Sequence, residues 1–336
     1  MANIDLSKLS TIPYLDISNL HGRFISTLMF YDAGSWRMWI SAGDQLVEIK
    51  AWPAESFYFS AEPESPTDIC FHFLDFIAQR ASFSELQKPI LGLRDDVFNL
   101  SASLAKISHL HTTRDIVGLG VSRMAVTEIE YLFSVCRSVF DLLQEIASAL
   151  WETIKLHDAS VNKKPLKETF SKMVLFQGRA ATEKELIERF GLPQPLAAYY
   201  VRNAEFFMTL REFRDNIIHR GSQVQTIFSS ETGFLIQHSL KPFSDMAIWS
   251  EAEKQPNDLV PLFPALCVVV HKTLSACEDF SSTIEQLIQF PPQIAPNMRF
   301  FMRGYFNEMF SAALHDANSR LTNHSTGPVQ EAAQAG

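Results

Sequence analysis

Between positions 211 and 220 the chain places Arg211, Arg214, Asp215, Asn216, His219 and Arg220. These are the residue types that move a proton beside a phosphate. Imidazole is the side chain whose ordinary pKa suits proton transfer near neutrality. A guanidinium offers phosphate oxygens a fixed fork of donors without titrating. At ~100° per residue, a helix through these positions gathers Arg211, Asp215 and His219 on one face with Arg214 beside it. Asp215, one turn before His219, can orient the imidazole, and Asn216 can donate to a substrate. The same residues also suit ordinary i,i+4 ion pairs and cations at a negative helix end, so the pattern alone leaves both uses open.

The element that must carry them is a helix. Phe206, Leu210, Phe213 and Ile217 recur at spacings of four and three, a single apolar stripe, and Gly221 supplies the stop. A second helical pattern, 124–156, keeps that spacing through Ile129, Leu132, Cys136, Phe140, Leu143, Ala147, Leu150 and Ile154. It calls for a partner of similar length, and the helix 196–219 is the natural one. Glu130, Arg137, Asp141 and Glu145 ride on or near its polar side; most read as a solvated helix face with i,i+4 pairs, and some as candidates to reach the Arg214 cluster. A third long helix is expected over 258–290, with His271 on it as an interior or boundary residue. Shorter ones are expected over 70–79, 85–107, from the capping box Thr182/Glu185 to Phe190, and over 297–314. Lys163, Lys164, Lys167, Lys172 and Arg179 make the one locally basic stretch. It reads equally as a phosphate-binding segment and as a solvated interhelical loop.

Strands are expected at 24–31, 36–41 and 45–52, joined by turns at Asp32-Ala33-Gly34 and Ala42-Gly43-Asp44, and as a hairpin from 223–228 and 233–238. Residues 61–67, acidic and Pro-containing, mark a linker. His109 and His111 read as loop histidines rather than metal ligands, and residues 115–120 as a flexible connection. The fold class is therefore mostly α, of α+β type: an antiparallel helical bundle with a small N-terminal β meander and a β-hairpin after the motif helix. The expected divisions are a β-rich module at 1–62, a helical connecting segment at 63–120, the bundle at 121–292, and a C-terminal helix with a disordered tail at 293–336.

Composition narrows the partners. With 46% apolar and 20% charged residues and a mean hydropathy near zero, the chain is expected to be a soluble globular protein. A net charge of −9 gives no global field for sequence-independent nucleic-acid binding, so any RNA contact must rest on a local patch. Cys70, Cys136, Cys267 and Cys277 form no C-x-x-C pair and read as reduced thiols, mostly among apolar neighbours. The N-terminal residues carry no apolar leader pattern and no run reaches membrane-spanning length, so a cytoplasmic protein without membrane contact is expected.

The segment Arg214-Asp215-Asn216-Ile217-Ile218-His219 resembles the R-x4-6-H motif of HEPN domains, in which an arginine followed by a polar residue precedes a histidine at the end of a bundle helix. The resemblance covers 124–290 at most. It implies a HEPN-like bundle acting as a metal-independent endoribonuclease, with no cofactor, leaving 2′,3′-cyclic phosphate and 5′-hydroxyl ends. A toxin, stress or phage-defence role would go with that activity. His219 would be the proton-transfer residue and Arg214 the phosphate clamp, supported by Asp215 and Asn216, with Arg211, Arg220, Lys163, Lys164 and Lys172 as substrate-binding candidates. Positions five apart on a helix point ~140° apart, so Arg214 and His219 of one chain do not converge on an ideal helix. The resemblance resolves this through a homodimer about the motif helix, two Arg/His sets sharing one cleft. RNA is then the expected substrate, and a protein inhibitor or antitoxin a further partner. One departure stands out: Gly221 occupies the position where HEPN toxins paired with nucleotidyltransferase antitoxins carry tyrosine, so that mode of control is not expected. The alternative reading is a non-catalytic HEPN-like module that binds a protein or nucleotide, and a weaker third places specificity in the β module.

Overall fold

A computed structural model describes residues 6–43, 45–220, 226–239 and 241–325, without the side chains of 6, 216–220 and 324–325. In chain order it contains α1 (Leu6–Leu9), β1 (Met29–Asp32), β2 (Ser35–Ala42), β3 (Gln45–Ile49), β4 (Ser56–Ser60) and α2 (His72–Phe76). There follow α3 (Gln87–Thr112), α4 (Arg114–Val117), α5 (Val121–Thr153), α6 (Phe170–Val174), β5 (Leu175–Phe176), β6 (Arg179–Ala180), α7 (Glu183–Phe190) and α8 (Gln194–Arg220). The remainder is β7 (Phe228–Ser229), β8 (Phe234–Gln237), β9 (Leu259–Pro261), α9 (Leu262–Leu287), β10 (Arg299–Arg303) and α10 (Asn307–Ser325). The class is mixed α+β. No helix among the described residues is long and apolar enough to cross a membrane. The chain forms two compact units, each assembled from three separate segments.

The first unit comprises residues 1–97, 139–205 and 275–307. Its sheet has the order β10-β4-β1-β2-β3, with β1 and β4 parallel and the other neighbours antiparallel. The three expected meander strands are present. Ala33 and Gly34, both at positive φ, make the tight turn that pairs Asp32 with Ser35. Two strands of this sheet, β4 and β10, went unread in the sequence. Residues 299–303 lie within a segment read as helix, yet they pair with β4 along their whole length. The reason is burial on both faces: β4 is fully buried, Phe300 stacks on Phe57 at 5.2 Å and Phe301 on Tyr58 at 5.6 Å. A strand inserted beside β4 hides Phe300, Phe301 and Met302 together, and the helix begins only at Asn307.

Arg23 ties this unit together through backbone carbonyls. Its guanidinium donates to the carbonyls of Leu20, Asn19, Gln79 and Pro292, and burial pushes its pKa down to about 10. In the helical part, Tyr200 donates to Gln144 Oε1, whose amide in turn donates to the Lys167 carbonyl. α7 has the expected capping box on Thr182 and ends at Gly191. Gly191 sits at φ +66°, and a Cβ there would lie 2.2 Å from the Asn162 carbonyl oxygen, so only glycine fits.

The second unit comprises residues 98–138, 206–274 and 308–336. Phe133 of α5 packs on Phe213 of α8 at 4.2 Å between ring centroids, and its edge meets Phe243 at 6.4 Å. The expected hairpin appears as β7 and β8 around Ser230–Gly233, with residues 223–225 outside the described chain. β9, read as the start of a helix, instead adds a third strand beside β8. His109 and His111 are helical rather than in a loop, and the ring of His111 contacts the Ser230 carbonyl at 2.9 Å. Residues 115–120 form the end of α4 and a single 3-10 turn. α10 continues to Ser325, well past the expected end at 314, and the tail residues 326–336 lie outside the described chain.

Arg320 on α10 grips Glu253 with both terminal nitrogens, at 3.1 and 2.8 Å, and Asp316 with Nε at 2.7 Å. The Arg320 hydrogen bonds hold the Glu253 carboxyl down to about 2. A depressed folded-state pKa adds stability above the unfolded value, ~4.3 for glutamate, and loses it as pH falls through the folded one. The gap in unfolding free energy between wild type and Glu253→Gln is therefore expected to be full above about pH 5 and to close toward pH 2. Chemical denaturation at a series of pH values checks this; a gap that widened on acidification would contradict it.

Candidate functional site

The motif helix α8 runs unbroken for 27 residues from Gln194 to Arg220. Leu196, Tyr199, Tyr200, Phe207, Leu210 and Phe213 are buried along it. The expected stripe is thus right at Leu210 and Phe213 but rotated at its start. Phe207 enters the core, whereas Phe206 is half-buried with the Lys272 ammonium 5.7 Å above its ring. Ile217 has no described side chain.

Near the helix end, Arg211 Nε lies 3.3 Å from Asp215 Oδ2 and Arg214 Nη1 lies 3.4 Å from Asp215 Oδ1. Two guanidiniums therefore share one carboxylate, leaving the trio with a net positive charge. The three side chains are 38–39% exposed. Their contacts are at the long end of the hydrogen-bond range, so solvent and ligands compete with them readily. Arg211, Arg214 and Asp215 are brought together as the spacing required. Asn216, His219 and Arg220 lie on the helical backbone, but their side chains are outside the described residues.

The same unit contains Glu130, whose Oε1 is buried with no hydrogen-bond partner among the described residues. It also contains His271, whose pKa is lowered by burial and then by Lys272, in keeping with a partly interior histidine. An open cavity of about 550 Å³ is lined there by Arg114, Asp115, Leu119, Ser122, Ser230 and Glu231. Among the described residues no group of three or more His, Cys, Asp or Glu side chains is arranged to hold a metal ion.

The basic stretch lies in the first unit, and four of its five cationic side chains have local partners. Lys163 Nζ donates to the carbonyls of Trp151 and Ile154 at the end of α5, and Lys164 Nζ to the Glu188 carbonyl 2.7 Å away in α7. Lys172 pairs with Glu168 at 3.2 Å, and Arg179 with Glu185. Carbonyls left over at helix C-termini attract ammonium groups, which accounts for the first two. A phosphate bound at Lys163 or Lys164 would compete with these carbonyls for the ammonium groups.

A second constellation, unread in the sequence, is centred on Arg303 in the first unit. Its guanidinium lies 5.2 Å from the Trp36 ring and 4.9 Å from the Trp52 ring, and it pairs with Glu64 and with Asp68 at 3.5 Å. Asp68 also accepts from Tyr58 Oη at 2.7 Å, and burial raises the Asp68 pKa. These residues come from four places in the chain, and no local spacing connects them.

No protein-family model matches the chain, and comparison with curated proteins and with solved structures finds no match either. Fold and geometry define an α+β protein in which Arg211, Arg214 and Asp215 meet near the C-terminal end of α8.

Proposed function

We propose that the protein is a HEPN-like endoribonuclease that cleaves RNA by transesterification, with the end of α8 as its reactive centre. The observation that carries this reading is the solvent-accessible pair Arg211 and Arg214, both turned to Asp215 on the last turns of α8, just ahead of His219. In the reaction, His219 takes the proton from a 2′-hydroxyl and the freed oxygen attacks the adjacent phosphorus. The bond from phosphorus to the 5′-oxygen breaks, and that oxygen gains a proton from the second acid of the site. Arg214 holds the charge that builds on the phosphoryl oxygens. The nucleophile belongs to the substrate, so the products are a 2′,3′-cyclic phosphate and a 5′-hydroxyl. Positions five apart on an ideal helix are ~140° apart, so a clamp and a histidine that act on one phosphate are drawn from two copies of α8; the second copy's His219 is then the acid, and the working unit is a homodimer.

The test is incubation of mixed RNA with purified protein in excess EDTA, followed by analysis of the new ends. Cyclic phosphate and 5′-hydroxyl ends are expected; intact RNA, or 3′-hydroxyl ends, would overturn the proposal. The second reading is a non-catalytic module that contacts a protein or nucleotide. It is favoured by the fact that Arg211, Arg214 and Asp215 already form a network within one helix. Variants at Arg214 that lose dimerisation, from a wild type that leaves RNA intact, would select that reading.

A further inference from the structure

We infer that the β module of the first unit carries a docking surface for a basic peptide segment, built from exposed aromatic rings and unpaired acids around Arg303. The inference is independent of the RNA reading.

Arg303 shows the chemistry in place. Its planar guanidinium stands between two indoles, with Glu64 and Asp68 meeting its donors. This is how a cation is held when a ring quadrupole and a carboxylate act together. Arg303 itself is nearly covered, its side chain 12% exposed, yet the surface around it is not. Trp52 is 65% exposed although one of its faces is taken by Arg303, and Tyr305, two residues beyond Arg303, is 88% exposed. Phe306 is partly exposed and packs edge-on against Tyr305 at 5.4 Å. A single exposed ring is ordinary, but Tyr305 and Phe306 are in ring contact and follow directly on Arg303, which lies over Trp52, and grouped exposed rings are what binding surfaces present.

Charge decides which partner fits. From position 51 to 79 the chain has no Lys or Arg, but it has Glu55, Glu62, Glu64, Asp68 and Asp75. Glu55 and Glu62 are exposed and make no ion pair among the described residues. Glu64 and Asp68 exceed the charge of Arg303 by one. A nucleic-acid backbone would be repelled here, even though bare indoles and phenols suit base stacking. An arginine- or lysine-bearing peptide meets both features, its cations over the outer faces of Trp52 and Tyr305 and its charge offset by Glu55 and Glu62.

The test uses the full chain and a fluorescein-labelled hexa-arginine peptide as probe, read by anisotropy. Wild type is compared with Trp52→Ala, Tyr305→Ala and the double variant Glu55→Gln/Glu62→Gln, each first checked for a wild-type melting temperature. Trp52→Ala is expected to weaken binding about tenfold, which is about 1.4 kcal/mol. It leaves net charge unchanged, so its loss cannot come from general attraction of a polycation to an acidic protein. The glutamine pair is expected to weaken binding and reduce its salt dependence. Binding by Trp52→Ala and Tyr305→Ala at the wild-type affinity would overturn the inference. So would a single-stranded oligouridine that binds more tightly than the peptide and loses affinity in Trp52→Ala.

Discussion

His219→Ala is expected to lower the rate of RNA cleavage by about 10²- to 10⁴-fold, the usual contribution of a general acid or base. Arg214→Ala is expected to cost about 10²- to 10³-fold, since a preorganised donor to the developing phosphoryl charge is lost. Arg214→Lys should recover only part of it, because an ammonium keeps the charge but not the planar fork. Arg214 and its partner Asp215 are more than one-third exposed, so Arg214→Ala is expected to change unfolding free energy by no more than about 0.5 kcal/mol. The checks are cleavage rates in EDTA beside urea denaturation of the same preparations. Rates within threefold of wild type for both alanine variants would remove His219 and Arg214 from the chemistry.

Trp151→Ala is expected to have the largest effect on stability. The indole is 1% exposed, its Nε1 donates to the Lys164 carbonyl at 3.0 Å, and the Lys163 ammonium lies 5.7 Å from its ring. Truncating a buried tryptophan costs about 3–5 kcal/mol through lost burial and the cavity left behind. The unpartnered Lys164 carbonyl adds to that. Against a total of about 5–15 kcal/mol, this brings the folded state close to its limit. Trp151→Phe, which keeps a ring but not the donor, should fall between the two. A shift of the urea midpoint worth less than about 1.5 kcal/mol for the alanine variant would mean that Trp151 is not the anchor that the geometry describes.

The long helices were legible in the sequence because their evidence is local. Ile129, Leu132, Phe140 and Leu143 repeat at helical spacing, and all are buried. The capping box at Thr182 and the glycine stop at Gly191 were likewise matters of a few adjacent residues. What escaped was non-local. β10 is a strand because β4, more than two hundred residues earlier, offers it a fully buried edge, and nothing within residues 299–303 announces that partner. β9 is the same case on a smaller scale, held by β8. The rotation of the α8 stripe from Phe206 to Phe207 reflects the difference between an apolar residue and one with something to pack against.

The candidate site divides along the same line. Arg211, Arg214 and Asp215 are neighbours on one helix, so their meeting followed from spacing alone. The lysines did not follow. Lys163 and Lys164 look like a free basic stretch until the ends of α5 and α7 are placed, when their ammonium groups find carbonyls within reach. The Arg303 cluster draws on Trp36, Trp52, Glu64 and Asp68, which only the sheet brings together.

The central claim is that the reactive centre at the end of α8 uses the 2′-hydroxyl of its substrate. Its most direct test is single-turnover cleavage, in excess EDTA, of a labelled RNA strand and of the same strand carrying one 2′-deoxynucleotide at the cut position. The expected result is cutting at that position in the first strand, none in the second, and cutting of the first strand slowed about 10²- to 10⁴-fold in His219→Ala. Equal cutting of both strands by wild type, or no cutting of the RNA strand, would contradict it.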